Sequence, residues 1–192
     1  MEELPVTSRE CAELQHKRAV SEVSELWDLL DQVRDPELPV LSLWDLGVLR
    51  DVQRVSGRVV VTITPTYSGC PALETMRGDI ERLLREEAVG AFEVRTQLAP
   101  AWSSTWISPE GRDKLRAYGI APPEDQKDQI QSNSGAIACD PSVCGLTPEA
   151  GITCPRCGSS DSRRISEFGS TACKALFQCL ACHEPFDYFK QI

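Results

Sequence analysis

The sequence has few histidines, no long apolar run and a deficit of positive charge. Its 192 residues include two histidines, His16 and His183, whose placement gives no Ser-His-Asp or Cys-His catalytic pattern. We expect no membrane span, because no run of 18 apolar residues occurs, and Met1–Arg18 lacks the apolar segment of a signal peptide. The 20 Lys and Arg against 29 Asp and Glu give a net charge of −9, which disfavours nucleic-acid binding.

Cysteine, in contrast, is abundant, with nine residues. An odd number of cysteines, some at knuckle spacing, indicates metal and thiol chemistry in a reducing cytoplasm rather than a disulfide scaffold. Two Cys-x-x-Cys pairs, Cys154/Cys157 and Cys179/Cys182, flank the 21 residues Gly158–Gln178. Two such turns supply the four thiolates of a structural zinc ion, so we predict a metal-bound module at this end of the chain.

Three alternatives remain open around this module. The same four thiolates can hold an iron–sulfur cluster, but zinc is favoured because a segment of about forty residues can hardly bury enough core to fold without a metal. Cys173 can replace a knuckle cysteine, react, or lie buried as a small apolar residue, and we favour burial. His183 can replace Cys182 as a ligand, although the thiol is the better candidate.

The length of the chain predicts one ordinary domain and one small module. We expect an α+β fold class, in which a small α-β-β-α-β domain precedes a C-terminal zinc-ribbon module. The expected division is a flexible leader over 1–20, the α+β domain over 21–123, a flexible acidic linker over 124–150 and the ribbon over 151–192. The linker contains Cys139 and Cys144, whose role the pattern does not assign.

Hydrophobic periodicity and turn residues predict the individual elements. A helical face of Leu73, Met76, Ile80 and Leu83 marks the second helix. The expected elements of the domain are a helix over Ser21–Val33, a hairpin of strands Leu46–Val55 and Arg58–Thr64, a helix from Pro71 to Glu87, a strand over Phe92–Leu98 and a short helix from Ser108 to Gly119. The expected ribbon strands are Arg163–Phe168, Ala175–Gln178 and Phe186–Phe189, after a linker that opens at Ala121.

Cys70 is the sharpest functional candidate of the domain. It directly precedes Pro71 at the predicted start of the second helix, where unpaired N–H groups and the helix dipole favour a thiolate and lower the pKa. A thiolate beside the flexible Gly69 can hold iron transiently, accept a cluster or act as a nucleophile. The alternative is a buried, inert cysteine. Hydroxyls that can line the same pocket, or cap turns locally, belong to Thr64, Thr66 and Ser68.

Carboxylates beside such a thiolate can complete an iron site. Asp45 is retained with Cys70 as a candidate for iron or cluster transfer, although a role in capping the local backbone is the stronger expectation for Asp45. Asp35 and Glu37 are weaker candidates, since Pro36 between them indicates a turn. Trp102 and Trp106 can form a partner-binding patch but are more typical of a core. A mild basic bias of the ribbon, read by default as a solvated face, comes from Arg163, Arg164, Lys174 and Lys190.

Four motifs resemble the domain shared by SufT-type iron–sulfur maturation proteins. They are Asp35–Pro39, Asp45–Arg50, Thr62–Thr66 and Gly69–Ala72, within residues 20–100. The resemblance implies a role in maturing a metal centre and supports the functional interpretation of Cys70.

The ribbon resembles a second, more specific family. Phe168–Leu176 and Glu184–Lys190 are similar to the PaaD (PaaJ) family of phenylacetate-degradation proteins, as are the segments 106–108 and 118–123. One departure is that Gln191-Ile192 stands where the family often has Cys-His. This departure weakens any proposal of a terminal cysteine ligand.

The PaaD-like resemblance implies an accessory subunit of phenylacetyl-CoA epoxidase in phenylacetate catabolism, a route of aromatic degradation. The implied cofactors are a structural zinc and a transient iron or iron–sulfur cluster. The implied partners are the oxygenase subunit, the reductase subunit or both, in the cytoplasm; a homodimer is also open. The PaaD-like subunit is not regarded as the oxygenating one. The alternatives are a purely structural zinc-ribbon adaptor and a thiol enzyme that depends on Cys70.

Overall fold

The computed structural model describes residues 9–123 and 151–192. The chain divides into two compact units, Met1–Tyr118 with Ile192, and Gly119–Gln191. Within the described ranges, no helix is long and apolar enough to cross a membrane. The predicted linker over 124–150, with Cys139 and Cys144, lies outside the described residues, as do residues 1–8 of the predicted leader.

The elements of the first unit follow the predicted order with two additions. In chain order the elements are α1 (Arg9–Ala19), α2 (Ser24–Leu30), β1 (Leu49–Val55), β2 (Arg58–Ile63), α3 (Leu73–Glu86), β3 (Phe92–Thr96), a 3₁₀ turn (Ser104–Trp106) and α4 (Pro109–Tyr118). The two additions are α1 and the 3₁₀ turn. The mixed helix-and-sheet fold class is therefore confirmed.

The sheet of the first unit has the order β1-β2-β3. The predicted hairpin is present: β1 and β2 are antiparallel and joined at Ser56 and Gly57, whose φ angles are 50° and 78°. Two left-handed residues form the tight turn that matches the twist of paired strands. Strand β3 lies parallel to β2, so α3 acts as the crossover helix between them.

The core of this unit lies between the sheet and α3. In the central strand, Val59, Val60, Val61 and Ile63 are all buried, as expected for a strand that is covered on both faces. Helix α3 buries the row Met76, Ile80 and Leu84. Met76 and Ile80 were predicted, whereas Leu84 takes the place of Leu83, because positions four apart lie in line along a helix.

The prediction of a loose leader is wrong for residues 9–19. These residues form α1, which buries Cys11 and Leu14. Polar contacts also hold the helix: the Lys17 ammonium lies 2.8 Å from Asp51, and the Arg18 guanidinium lies 2.7 Å from Asp28. Two buried positions are too few to produce a clear helical period, so tertiary contacts determine this helix.

The predicted helix over 21–33 is shorter than expected. Helix α2 ends at Leu30, and the chain continues in a tighter turn in which Val33 N–H donates to the carbonyl of Leu30. The Asp35 carboxylate then accepts hydrogen bonds from the backbone N–H groups of Glu37 and Leu38 at 2.8 and 2.7 Å. This is the turn that the sequence Asp35-Pro36-Glu37 predicts.

The second unit is a four-stranded sheet of order β4-β7-β6-β5. Its strands are β4 (Ile120–Ala121), β5 (Ser162–Ser166), β6 (Lys174–Cys179) and β7 (Pro185–Phe189). Strands β5 to β7 are the three that were predicted. Strand β4 was missed, and the expectation that the linker opens at Ala121 is wrong, because Ala121 pairs in parallel with Tyr188 of β7. A two-residue strand is too short to show any periodicity.

Candidate metal centre and thiol loop

The structure brings the four knuckle thiols of the ribbon together. The Sγ atoms of Cys154 and Cys182 lie 3.9 Å apart, those of Cys157 and Cys179 lie 3.5 Å apart, and all four lie within 4.8 Å of one another. A tetrahedral zinc ion with Zn–S bonds of about 2.3 Å requires sulfurs about 3.8 Å apart. The four sulfurs therefore fit a single zinc ion.

Both Cys-x-x-Cys turns, or knuckles, have the same backbone conformation after their second cysteine. The residue after the second cysteine adopts a left-handed conformation in each, Gly158 with φ 75° and His183 with φ 64°. In the first knuckle, the N–H of Gly158 donates to the carbonyl of Cys154 at 2.9 Å. In the second, the N–H of Cys182 points at the sulfur of Cys179, 3.5 Å away. The left-handed residue reverses the chain so that both cysteines of a pair face one point.

The cluster is anchored in the ribbon core on one side and open on the other. Cys154 and Cys179 belong to the buried apolar cluster with Ala175, Phe177 and Phe186. Cys182 is half-buried and Cys157 is exposed. Two of the ligands are thus also core residues, so metal binding and core packing depend on each other.

The thiols also share protons unequally. The backbone N–H of Ser159 favours the Cys157 thiolate, but hydrogen bonds with Cys179 and Cys182 outweigh it and raise the pKa of Cys157 to about 12. The backbone N–H groups of Cys182 and Ala181 lower the pKa of Cys179 to about 7 against the effect of burial. These contacts therefore favour a thiolate at Cys179 over one at Cys157.

The two further ligand candidates of the ribbon lie outside this group. Cys173 is buried, with its sulfur 3.0 Å from the Thr171 hydroxyl, and is not among the clustered thiols. His183 is exposed, and Cys182 rather than His183 belongs to the cluster. The structure thus agrees with the favoured expectation for each residue.

Cys70 lies in the loop between β2 and α3. It is half-buried, its N–H donates to the carbonyl of Tyr67 at 3.1 Å, and its carbonyl accepts from the N–H of Leu73 at 3.2 Å. Helix α3 begins at Leu73 rather than at Pro71, and its N-cap residue, Ala72, offers no capping side chain. Cys70 therefore sits next to a helix N-terminus, as the sequence predicts, in a turn one residue before Pro71.

The hydroxyls of the same loop differ in exposure. Thr64, at its start, is buried, and its Oγ1 has no hydrogen-bond partner among the described residues. Thr66 is half-buried, and Ser68 is exposed. Of the three hydroxyls, that of Thr64 is therefore a buried polar group without a hydrogen bond to the described residues.

Asp45 has a structural role in the first unit. Its buried carboxylate accepts from the N–H of Ser42 at 2.9 Å and from the Lys114 ammonium at 2.6 Å. The Asp45 carbonyl also accepts from the N–H of Ser108, just before α4, at 2.8 Å. The bond from Ser42 is a local backbone cap, as the sequence favours, and the other two connect the segment before β1 to α4. Its part in iron transfer stays a prediction.

The two tryptophans belong to the core rather than to a partner-binding patch. Trp102 and Trp106 are buried, and the Trp102 indole N–H donates to the carbonyl of Leu46 at 2.9 Å. The Arg50 guanidinium stacks 3.6 Å above the Trp106 ring, a contact that sequence reasoning missed. Gly47, with φ 65°, allows the close approach, since a Cβ there would lie 2.7 Å from Trp106.

Comparisons with known families agree with both resemblances drawn from the motifs. Residues 24–95 match the family model described as "Iron-sulfur cluster assembly protein", and residues 131–190 match the "PaaD zinc beta ribbon domain". The four-cysteine cluster together with the ribbon model supports zinc as the bound metal.

Two curated relatives cover different shares of the chain. The D component of the "Putative 1,2-phenylacetyl-CoA epoxidase" of Escherichia coli K12 is 45% identical over 174 residues, which is 91% of this chain and 96% of that protein. The "Fe-S protein maturation auxiliary factor" of Porphyromonas gingivalis is 35% identical over 90 residues, covering 45% of this chain and 84% of that protein. Among solved structures, a domain of unknown function, DUF59, from Bacillus anthracis is 28% identical, covers 53% of this chain and 95% of its own, and has a TM-score of 0.46.

Proposed function

The chain belongs to the family of the D component of 1,2-phenylacetyl-CoA epoxidase, and from this premise we propose that it is an accessory subunit that helps to assemble an iron or iron–sulfur centre of the epoxidase. The relative named for iron–sulfur protein maturation supports the same role for the first unit. In this proposal the chain does not carry out the oxygenation itself.

The observation that carries the proposal is the position of Cys70. The residue falls inside the segment 24–95 that matches the assembly family, and it lies half-buried in the turn that precedes α3, whose N-cap residue Ala72 offers no capping side chain. The partial positive charge of a helix N-terminus stabilises a thiolate, which is the form that binds iron. A single half-buried thiolate suits transient binding, because it leaves most positions around an iron atom for other ligands. Iron is cargo here.

The ribbon has a separate task in this proposal. Its four clustered thiols hold a structural zinc, and their sulfurs are shared with the ribbon core. The zinc therefore maintains a folded module that can bind partner subunits. The proposed partners are the oxygenase subunit, the reductase subunit or both. We further propose a cytoplasmic location, where thiols stay reduced and available to metals.

The test is expression of the oxygenase and reductase subunits with and without this chain at limiting iron. We expect the client subunit to contain less iron and to show less epoxidase activity when the chain is absent, and the deficient subunit identifies the client. Full iron content and activity in both subunits without the chain would contradict metal delivery and favour a structural adaptor.

A substitution separates delivery from mere association. Cys70→Ser is expected to lower client iron content to the level seen without the chain, while the variant still co-purifies with its partner. Ser68→Ala, an exposed change in the same loop, is the matched control and should support full loading. If Cys70→Ser also supports full loading, Cys70 has no part in transfer. The alternative of a thiol enzyme is tested by measuring the rate of Cys70 alkylation against pH, with Cys70→Ser as the blank. A profile that shows an ordinary thiol pKa would contradict the enzyme.

A further inference from the structure

The ribbon exposes a mixed apolar and basic surface along β5. We call the group Arg163, Arg164, Ile165, Phe168 and Lys190 the β5 patch. Strand β5 stands last in the order β4-β7-β6-β5, and within the described residues it pairs with β6 alone. The patch lies within residues 131–190, which match the PaaD ribbon model, and the zinc site does not use it.

Two large apolar side chains of the patch face solvent. The pairing of β5 with β6 shifts between Arg164 and Ser166, so Ile165 is an extra residue that bulges out of the ladder. Ile165 is 51% exposed, and Phe168, just after the strand, is 64% exposed. A bulge redirects a side chain, and here it takes Ile165 out of the regular alternation of β5, three residues before Phe168. Neither residue contributes to the core of the ribbon.

Three cations, Arg163, Arg164 and Lys190, belong to the β5 patch. The Lys190 ammonium lies 4.4 Å from the centre of the Phe168 ring and donates to the carbonyl of Glu167. Arg164 pairs with the Glu167 carboxylate, and Arg163 donates to the side chain of Gln178. Lys190 is therefore held beside Phe168, and Arg164 is held beside the adjoining Glu167. Arg163 is the neighbour of Arg164 along β5 and forms no ion pair within the described residues.

The charge of the patch opposes that of the whole chain. Residues 151–192 contain five Lys or Arg and four Asp or Glu, a net charge of +1, whereas the whole chain carries −9. Three of those five cations belong to the β5 patch. A positive surface on an otherwise acidic protein selects an acidic partner and repels a second copy of the same chain.

The structure of the β5 patch also restricts the class of partner that can bind it. The bulge and the two arginines obstruct the addition of another strand to β5, as in protected edge strands. Ile165 and Phe168 favour a protein surface over a nucleic acid, because an isoleucine cannot stack on bases and the net charge of −9 repels phosphates. The partner that fits is a folded protein with apolar groups inside an acidic rim.

We propose that the β5 patch is the surface through which this chain binds an acidic face of an epoxidase partner subunit. Ile165 and Phe168 enter an apolar depression of the partner, and Arg163, Arg164 and Lys190 pair with carboxylates at its rim. This inference rests on the proposed function, since it names the surface by which the accessory subunit reaches its client.

The test measures dissociation constants of the full chain with the purified oxygenase and reductase subunits at two salt concentrations. Phe168→Ala is expected to weaken binding about tenfold, as for a central aromatic anchor. Arg163→Glu/Arg164→Glu is expected to weaken binding at least about tenfold at low salt and to reduce its salt dependence. Equal zinc content and equal circular dichroism confirm that the variants are folded.

Matched controls lie on the first unit. Tyr118→Ala removes a comparably exposed aromatic ring, which is 57% exposed, and Arg54→Glu/Arg116→Glu makes the same change in net charge elsewhere. Both controls should bind like the wild type. If the patch and control variants bind with equal affinity, the β5 patch is not the docking surface.

Two other results would overturn the inference. One is loss of self-association, rather than of subunit binding, in the patch variants, and the other is patch-dependent binding of a single-stranded oligonucleotide. A different result would contradict the proposed function. If the wild type binds neither epoxidase subunit and has no effect on their iron content, the accessory role itself is wrong. If the wild type binds and loads its client while the patch variants do so equally well, the role stands without the patch.

Discussion

The first unit packs its interior with a continuous set of large aliphatic side chains from β2 and α3, including Val61, Ile63, Met76, Ile80 and Leu84. The buried cluster of the ribbon has six residues, two of which, Cys154 and Cys179, are thiols of the proposed zinc site. Burying an aliphatic side chain contributes about 1.5–3 kcal/mol, and the ribbon has few of them. The first unit therefore depends on apolar burial for its stability, whereas the ribbon depends on a metal.

Removal of the metal should produce the largest difference in stability between the two units. Cys154→Ser, or a chelator, is expected to unfold the ribbon and leave the first unit folded, because structural zinc contributes about 10–16 kcal/mol of apparent binding free energy to small modules. Hydrogen exchange resolved by segment measures the effect in each unit. Cys173→Ser, a buried thiol outside the cluster, is the control and should retain zinc. Equal loss of protection in both units would contradict the division.

The reciprocal change affects the core of the first unit. Ile80 is fully buried on α3, so Ile80→Ala is expected to lower the free energy of unfolding of this unit by about 2–5 kcal/mol through the cavity it leaves. Zinc content and the protection of β6 and β7 should not change. Denaturant unfolding followed with a zinc indicator measures both quantities. Coupled loss of zinc would show that the ribbon depends on the first unit.

A third change tests the structural role of Asp45. Asp45→Asn removes the charge that pairs with Lys114 and weakens the bond to the N–H of Ser42. We expect a loss of about 1–3 kcal/mol from the first unit, as for a buried hydrogen-bonding group deprived of its partner. Thermal unfolding measures the loss, and Asp113→Asn, an exposed carboxylate on α4, serves as control. An unchanged midpoint combined with loss of client iron would instead support a role in transfer.

Features fixed by short stretches of chain were predictable from the sequence. Cysteines separated by two residues turn both sulfurs to one side, so the spacing of Cys154, Cys157, Cys179 and Cys182 was enough to expect one metal site. The β-branched run of β2 and the turn at Ser56-Gly57 likewise predicted the hairpin.

Features that depend on distant partners were not predictable in this way. Helix α1 has two buried side chains and is held by contacts with residues further along the chain, such as Asp51. Strand β4 exists because it pairs with β7. Asp45 finds its cation, Lys114, 69 residues away, so its sequence neighbours could not decide between a ligand and a structural role.

The smallest expected effect compares the two knuckles within the ribbon. Gly158 and His183 occupy equivalent left-handed positions, but only His183 carries a Cβ, which costs about 1–2 kcal/mol in that conformation. His183→Gly removes this strain but adds the larger backbone entropy of glycine in the unfolded chain, about 0.5–1 kcal/mol. The balance predicts a gain of about 0.5–1 kcal/mol, or a several-fold slower loss of zinc to a chelator.

Gly158→Ala is the reverse experiment. A Cβ at Gly158 would meet no atom within 4 Å, so its cost is conformational alone, about 1 kcal/mol, and zinc loss should become faster. Competition with a chromophoric chelator measures both variants, and His16→Gly, outside the ribbon, controls for the loss of a histidine. If His183→Gly weakens zinc binding instead, the imidazole contributes to the site, and the equivalence of the two knuckles does not extend beyond their backbones.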